Sequence, residues 1–146
     1  MIRKILVPID GSDHAFKALD LASEIAIKHD ATMLLLHAVP DETPTEAQRR
    51  FAQVEHIEGS LDQVQFTIAE QQLMTSARHR ALKRGVKQVD TLVEPGDPAR
   101  VIVDHAVDVD VIVMGCRGLG PIEGLLLGSV SQKVNRLADA ACLTVK

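Results

Sequence analysis

Three stretches of this chain are apolar almost without a break: Ile2 to Ile9 once Lys4 is passed, Thr32 to Val39, and Val109 to Met114. A strand covered on one face alternates apolar and polar residues, so a continuous run predicts a strand buried on both faces, the condition of a parallel sheet between helices. Between these runs the apolar residues change to helical spacing, every third and fourth position. Such alternation from one end to the other predicts β-α-β-α-β-α-β-α-β, one α/β domain over residues 1–146 without linker, repeat or low-complexity tract.

Local signals place the elements. After the first strand, Asp10-Gly11-Ser12 turns the chain, and Ser12 can cap a helix whose face is Ala15, Leu19, Ala22, Ile25 and Ala26, ending near His29-Asp30. Pro40 to Pro44 is rich in breakers. The stripe Val54, Ile57, Leu61, Val64, Ile68 has helical spacing interrupted by Gly59-Ser60, and Ser60 with Gln63 forms a capping box. A loop or short helix is therefore expected first, then a long helix from about Ser60 to Arg84 capped by Gly85. At 1.5 Å per residue that helix is on the order of 37 Å long, so one end should overhang the sheet. Val89 to Val93 reads as a strand. Asp97-Pro98 then opens a helix with Val101, Ile102, His105 and Ala106 inward. A helix from Ser129 to about Ala138 and a strand from Cys142 to Val145 complete the pattern.

Composition narrows the function. With 16 Lys and Arg against 20 Asp and Glu, the net charge is −4, so the overall field does not gather nucleic acid or an anionic membrane. Aromatic content is 2%, without Tyr or Trp, which argues against stacking platforms for single strands. Cys116 and Cys142 make neither a disulfide framework nor a CxxC motif. No stretch nears the roughly 20 apolar residues that span a bilayer. The first apolar run is interrupted by Pro8, unlike a signal peptide, and cytoplasmic residence is expected.

The chemistry-bearing stretch is Gly115-x2-Gly118-x9-Gly128, followed by Ser129-Val130-Ser131. Glycines directly after a buried strand let backbone amides approach a ligand or adopt positive φ. Gly128-Ser129 opens a helix, whose free amides and positive dipole end attract phosphate oxygens. The plainer alternative is a tight loop and an ordinary helix cap. No GxxxxGK[ST] loop exists, and Gly118-Leu119-Gly120 continues only to a displaced Gly124, which disfavours a dinucleotide fingerprint.

The glycine pattern resembles the ATP-binding motif of the universal stress protein family. Ile5-Leu6-Val7-Pro8-Ile9-Asp10-Gly11-Ser12 resembles that family's opening strand, His37-Ala38-Val39 its second strand, and Gly96-Asp97-Pro98-Ala99 a helix start. The landmarks fall in order across the whole chain. The resemblance implies a three-layer α/β/α sandwich with a five-stranded parallel sheet in order 3-2-1-4-5, as in Rossmann-like adenine-nucleotide folds. Ligands of such sheets bind where the strand order reverses. It further implies that Pro8 and Asp10 border the ribose and adenine, and that Val39 offers backbone contacts to the adenine edge. Gly115, Arg117 and Gly118 would lie over ribose and phosphates, with Gly128, Ser129, Val130 and Ser131 cradling the phosphates and Mg2+ bridging them. A homodimer through the C-terminal edge strand is implied, although Cys142-Leu143-Thr144-Val145 departs from the family's Cys-Pro-Val close.

Competing sites have less support. The six histidines show no metal-ligand spacing and read as caps, surface or core residues. Cys116 is expected at a variable loop position without an evident base. No GxSxG elbow surrounds Ser129 or Ser131, and Asp10 lacks the companion acids of a phospho-receiver. Glu42 to Gln72 reads as a solvated face, with docking of a protein partner the minor alternative. A phosphate cradle without a base beyond Asp10 favours an ATP-dependent regulator or sensor in stress response over a slow ATP hydrolase. A nucleotide-independent interaction module is the third reading.

Overall fold

The computed structural model describes residues 1–40, 61–117 and 127–146, with side chains described from residue 68 onward in the middle span. Strands β1 (Lys4–Pro8), β2 (Thr32–Val39), β3 (Val89–Pro95), β4 (Val111–Gly115) and β5 (Ala141–Val145) form one sheet in the order β3-β2-β1-β4-β5. Every pairing is parallel, with Leu6 opposite Leu34 on one side and Ile112 on the other. The sheet order implied by the resemblance is therefore present. Between the strands run α1 (Asp13–His29), α2 (Leu61–Arg84), α3 (Pro98–Asp104) and α4 (Ser129–Leu137).

The alternation of β1 divides the core. Ile5, Val7 and Ile9 face α1 and α2, where Ala18, Leu19, Ala22, Met74, Ala77 and Ala81 are buried. Leu6 faces the other way, with Leu36, Ile112 and Met114, under Val101 and Ile102 of α3 and Val134 of α4. This is the three-layer arrangement, and it explains why the central strands carry apolar residues at consecutive positions.

Caps end the helices much as their residues suggest. Ser12 accepts a hydrogen bond from the Ala15 N–H at the start of α1, and Asp97 accepts one from Arg100 at the start of α3. Gly85, at φ +111, donates to the Leu82 carbonyl while Val86 donates to Ala81, closing α2 in a Schellman motif. On the solvent side, Arg80 holds Asp20 with two guanidinium bonds of 2.8 and 2.6 Å, joining α2 to α1. That hydrogen-bonded pairing keeps the Asp20 carboxyl below the usual carboxylate range.

Several expectations shift. β1 is shorter than Ile2 to Ile9, β3 runs two residues beyond Val93, and β4 begins at Val111 because the Val109 N–H closes a turn onto the Ala106 carbonyl. Ile68, the described end of the expected α2 stripe, is exposed, and the helix buries Met74, Ala77 and Ala81 instead. His105 is half-buried, turned toward β3 but not part of the core. It caps α3, and its ring pairs with the Glu94 carboxylate. The stripe positions Val54 and Ile57, the side chains of Leu61 and Val64, the Ser60–Gln63 capping box and most of the Glu42 to Gln72 face lie outside what is described.

Candidate nucleotide site

The reversal of strand order falls between β1 and β4, whose C-terminal ends open side by side. From β1 the chain continues through Ile9, whose N–H donates to the Leu36 carbonyl and whose own carbonyl accepts from His37 Nδ1 at 2.6 Å. Asp10 follows. One of its carboxylate oxygens, Oδ1, accepts both the Ser12 N–H at 2.9 Å and the Ser12 hydroxyl at 2.6 Å. Since Ser12 also caps α1, the acid is held by the same turn that starts the helix.

From β4 the chain passes through Gly115, where an added Cβ would meet His14 Cβ at 2.8 Å and the His14 carbonyl carbon at 2.9 Å. Of the two reasons for a glycine after the strand, close approach or positive φ, positive φ does not apply at Gly115. The residue must be glycine because α1 crosses here at backbone distance. Cys116 follows the strand directly and is buried, and its sulfur lies 3.7 Å from His14 Nδ1, so the expectation that no base neighbours it is corrected.

Helix α4 starts opposite. Gly128 is its N-cap, in extended backbone at φ −74 and ψ 167, and it supplies no side-chain cap. Its N–H donates to the Cys116 carbonyl at 2.6 Å and so is not among the free amides expected there. The N–H groups of Ser129, Val130 and Ser131 have no partner among the described residues, which concentrates positive dipole at this end.

These pieces enclose one cavity of about 300 Å³, at the lower end of the range for small-molecule sites. Pro8, Asp10, Gly115, Arg117, Gly128, Ser129, Val130 and Ser131 all line it. Val39 does not; its carbonyl accepts the Gly96 N–H at 2.8 Å, and Ala38 takes the neighbouring place in the wall. Gly118 lies outside the described residues. The wall also contains residues that motif reasoning passed over. Leu36 and Ala38 share one face of β2, and Pro98 and Ile102 stand one turn apart on α3. Period-two and i, i+4 spacing could have placed both pairs on this side once the sheet order was known. Most of the lining is apolar, and its charged members are Asp10 and Arg117.

The arrangement suits a ligand with an apolar or aromatic body and an anionic end. Leu36, Ala38, Ile102 and Met114 supply the apolar wall, and the α4 amides and Arg117 the positive groups. Among the described residues no group of three or more His, Cys, Asp or Glu side chains could hold a metal by itself. Mg2+ retained by phosphates, water and one carboxylate needs no such group. No described helix is long and apolar enough to cross a membrane.

Comparison with known proteins agrees with the fold. The model of the universal stress protein family matches residues 1–146. A universal stress protein of Thermus aquaticus is 37% identical over 144 residues, covering 97% of this chain and 96% of that protein. UspA from Lactobacillus plantarum shares the fold at TM-score 0.83 and 23% identity, over 99% of this chain and 98% of its own. A universal stress protein solved in complex with cAMP is 27% identical with TM-score 0.69, covering 99% of this chain and 96% of that one. With a match spanning the full sequence, on a sheet whose strand order reverses where the glycine motif lies, the chain belongs to the universal stress protein family.

Proposed function

We propose that the chain binds ATP together with Mg2+ in the cavity between β1 and β4, and that it acts as a nucleotide-dependent regulator or sensor in stress response. The observation that carries this reading is the start of α4, without a side-chain cap, facing a mostly apolar cavity. Backbone N–H groups at a helix start bind phosphate without a lysine, which suits a chain that has no Walker motif. Complex formation of a 27% identical relative with cAMP supports an adenine nucleotide as the ligand class. On this reading Pro8 and Ala38, which line the cavity, would border the base, Asp10 the ribose or a Mg2+, and Arg117 with Ser129 and Val130 the phosphates. Mg2+ would offset phosphate charge, which the acidic chain does not do globally.

Titration calorimetry tests the reading. At 100 times its Kd, ATP stabilises the folded state by about 2.7 kcal/mol, which for a domain of this size is about 5–10 °C of melting temperature. Absence of both heat and melting shift at millimolar ATP removes the proposal. Appearance of ADP in proportion to protein, abolished by Asp10→Ala, would move the assignment to a hydrolase.

The proposal extends to a homodimer through β5. That strand is the sheet edge, Leu143 on it is exposed, and its outer backbone groups are unpaired among the described residues. The Val145 carbonyl accepts from Cys116 and so points toward β4. By alternation the outward groups belong to Cys142 and Thr144. Thr144→Pro therefore removes an outward donor without touching the β4 pairing, a placement sheets tolerate. Wild type is expected to scatter light as a dimer at micromolar concentration and Thr144→Pro as a monomer; a dimeric variant would exclude this interface.

A further inference from the structure

We propose that Ser131 is a positioning residue for the phosphate end of the site, acting through its hydroxyl on the protein backbone rather than on the ligand; this rests on the nucleotide reading above. Ser131 is buried, and its Oγ lies 2.9 Å from the Cys116 carbonyl oxygen and 2.9 Å from that of Gly128. A hydroxyl has one proton, so these two acceptors share it. The Cys116 carbonyl also accepts the Gly128 N–H at 2.6 Å, which fills both of its lone-pair directions. Two bonds thus converge on one oxygen, and both come from the first turn of α4.

The consequence is geometric. Residue 116 leaves β4 and residue 128 enters α4, so this oxygen is where the two ends of the intervening segment are fastened together. Arg117 lies immediately beyond one fastened end, and the free amides of Ser129 and Val130 immediately beyond the other. The far side of Cys116 is equally fixed, because its own N–H donates to the Val145 carbonyl at 2.7 Å. β4, β5 and α4 therefore meet at one residue, and the Ser131 hydroxyl is the side-chain member of that junction. Further along α4, Asn135 Nδ2 donates to the Ser131 carbonyl at 2.8 Å, which holds the residue from its other end. The sequence motif suggests Ser131 as a phosphate contact, but a hydroxyl proton shared by two carbonyls is already committed. What it can control is the spacing between the Arg117 end and the amide cluster, and hence the fit of phosphates but not of the nucleoside.

Ser131→Ala separates the possibilities when ATP and adenosine are titrated in parallel and amide exchange is followed without ligand. Loss of one positioning hydrogen bond is expected to weaken ATP about tenfold. Adenosine affinity should stay within about twofold, because the nucleoside does not use the phosphate end. In the ligand-free variant the Gly128 amide should exchange faster, since its acceptor is no longer held from both sides. Ser131→Thr, which keeps the hydroxyl, should restore all three readouts. Equal weakening of ATP and adenosine would overturn the proposal in favour of a merely structural serine. A loss confined to ATP with unchanged Gly128 exchange would overturn it in favour of direct phosphate contact. If Ser131→Ala does not fold, Ser131→Cys, with a weak donor of similar size, is expected to give the same pattern in milder form. Wild type that binds neither ligand would refute the nucleotide site itself, an outcome distinct from the others.

Discussion

Gly115→Ala is expected to destabilise the domain by about 1–3 kcal/mol, the usual cost of forcing extra atoms into a closely packed site. The new methyl would stand 2.8 Å from His14 Cβ and 2.9 Å from the His14 carbonyl carbon. A flexible side-chain tip could swing away from such a contact, but these atoms belong to the first turn of α1. Relief therefore requires α1 to move off β4, taking with it the Ser12 cap and the Asp10 turn bonded to that cap. Gly115→Val should be worse, approaching the 5–15 kcal/mol total stability of an ordinary domain. Urea unfolding of the purified variants measures this directly. An Ala variant with the wild-type midpoint would show that the helix shifts freely. Any loss of nucleotide binding caused at this position is expected to accompany lost stability.

Gly115 illustrates how far the sequence could be read. Its place after a buried strand was legible, as was its membership of the family's glycine pattern. Its reason was not, because close approach to His14 depends on a contact across 101 positions that no local pattern encodes. The long helix shows the same limit. Its existence and its Gly85 cap follow from spacing and turn chemistry, yet the buried face is built from Met74 and two alanines, Ala77 and Ala81. Alanine allows close packing but adds little to an apolar stripe, so the larger Ile68 attracted the reading and proved exposed. His105 is an intermediate case: helical spacing turns it toward the sheet, but its half-buried ring ends on Glu94 of β3, a partner on a different element that spacing does not reveal. Sheet order came from resemblance, because strand patterns alone do not say which strands are neighbours. Once that order was available, the cavity followed from it, whereas Val39, placed by motif position, turned out to lie one residue beyond the wall.

The site itself is most sharply tested at Gly128, where the backbone offers no obstacle to substitution. At φ −74 and ψ 167 the residue occupies extended backbone that β-branched side chains favour, and its N–H bond to the Cys116 carbonyl needs no glycine. Gly128→Val should therefore fold, losing only about 1 kcal/mol from the poorer N-cap. Ligand binding is another matter. Gly128 lines the cavity immediately before the free amides of Ser129 and Val130, so an isopropyl group there occupies space that a phosphate must enter to reach them. Bonds to a charged partner contribute about 1.5–3 kcal/mol each, so losing two amide contacts should weaken ATP at least about a hundredfold. Adenosine, lacking the anionic end, should lose far less. Calorimetry with both ligands, alongside a melting curve, gives the decisive pattern. A folded Gly128→Val protein with wild-type ATP affinity would show that the phosphates lie elsewhere and that the start of α4 is an ordinary helix end. Ser129→Ala supplies the control, because it keeps every backbone N–H and is expected to change ATP affinity by no more than about threefold.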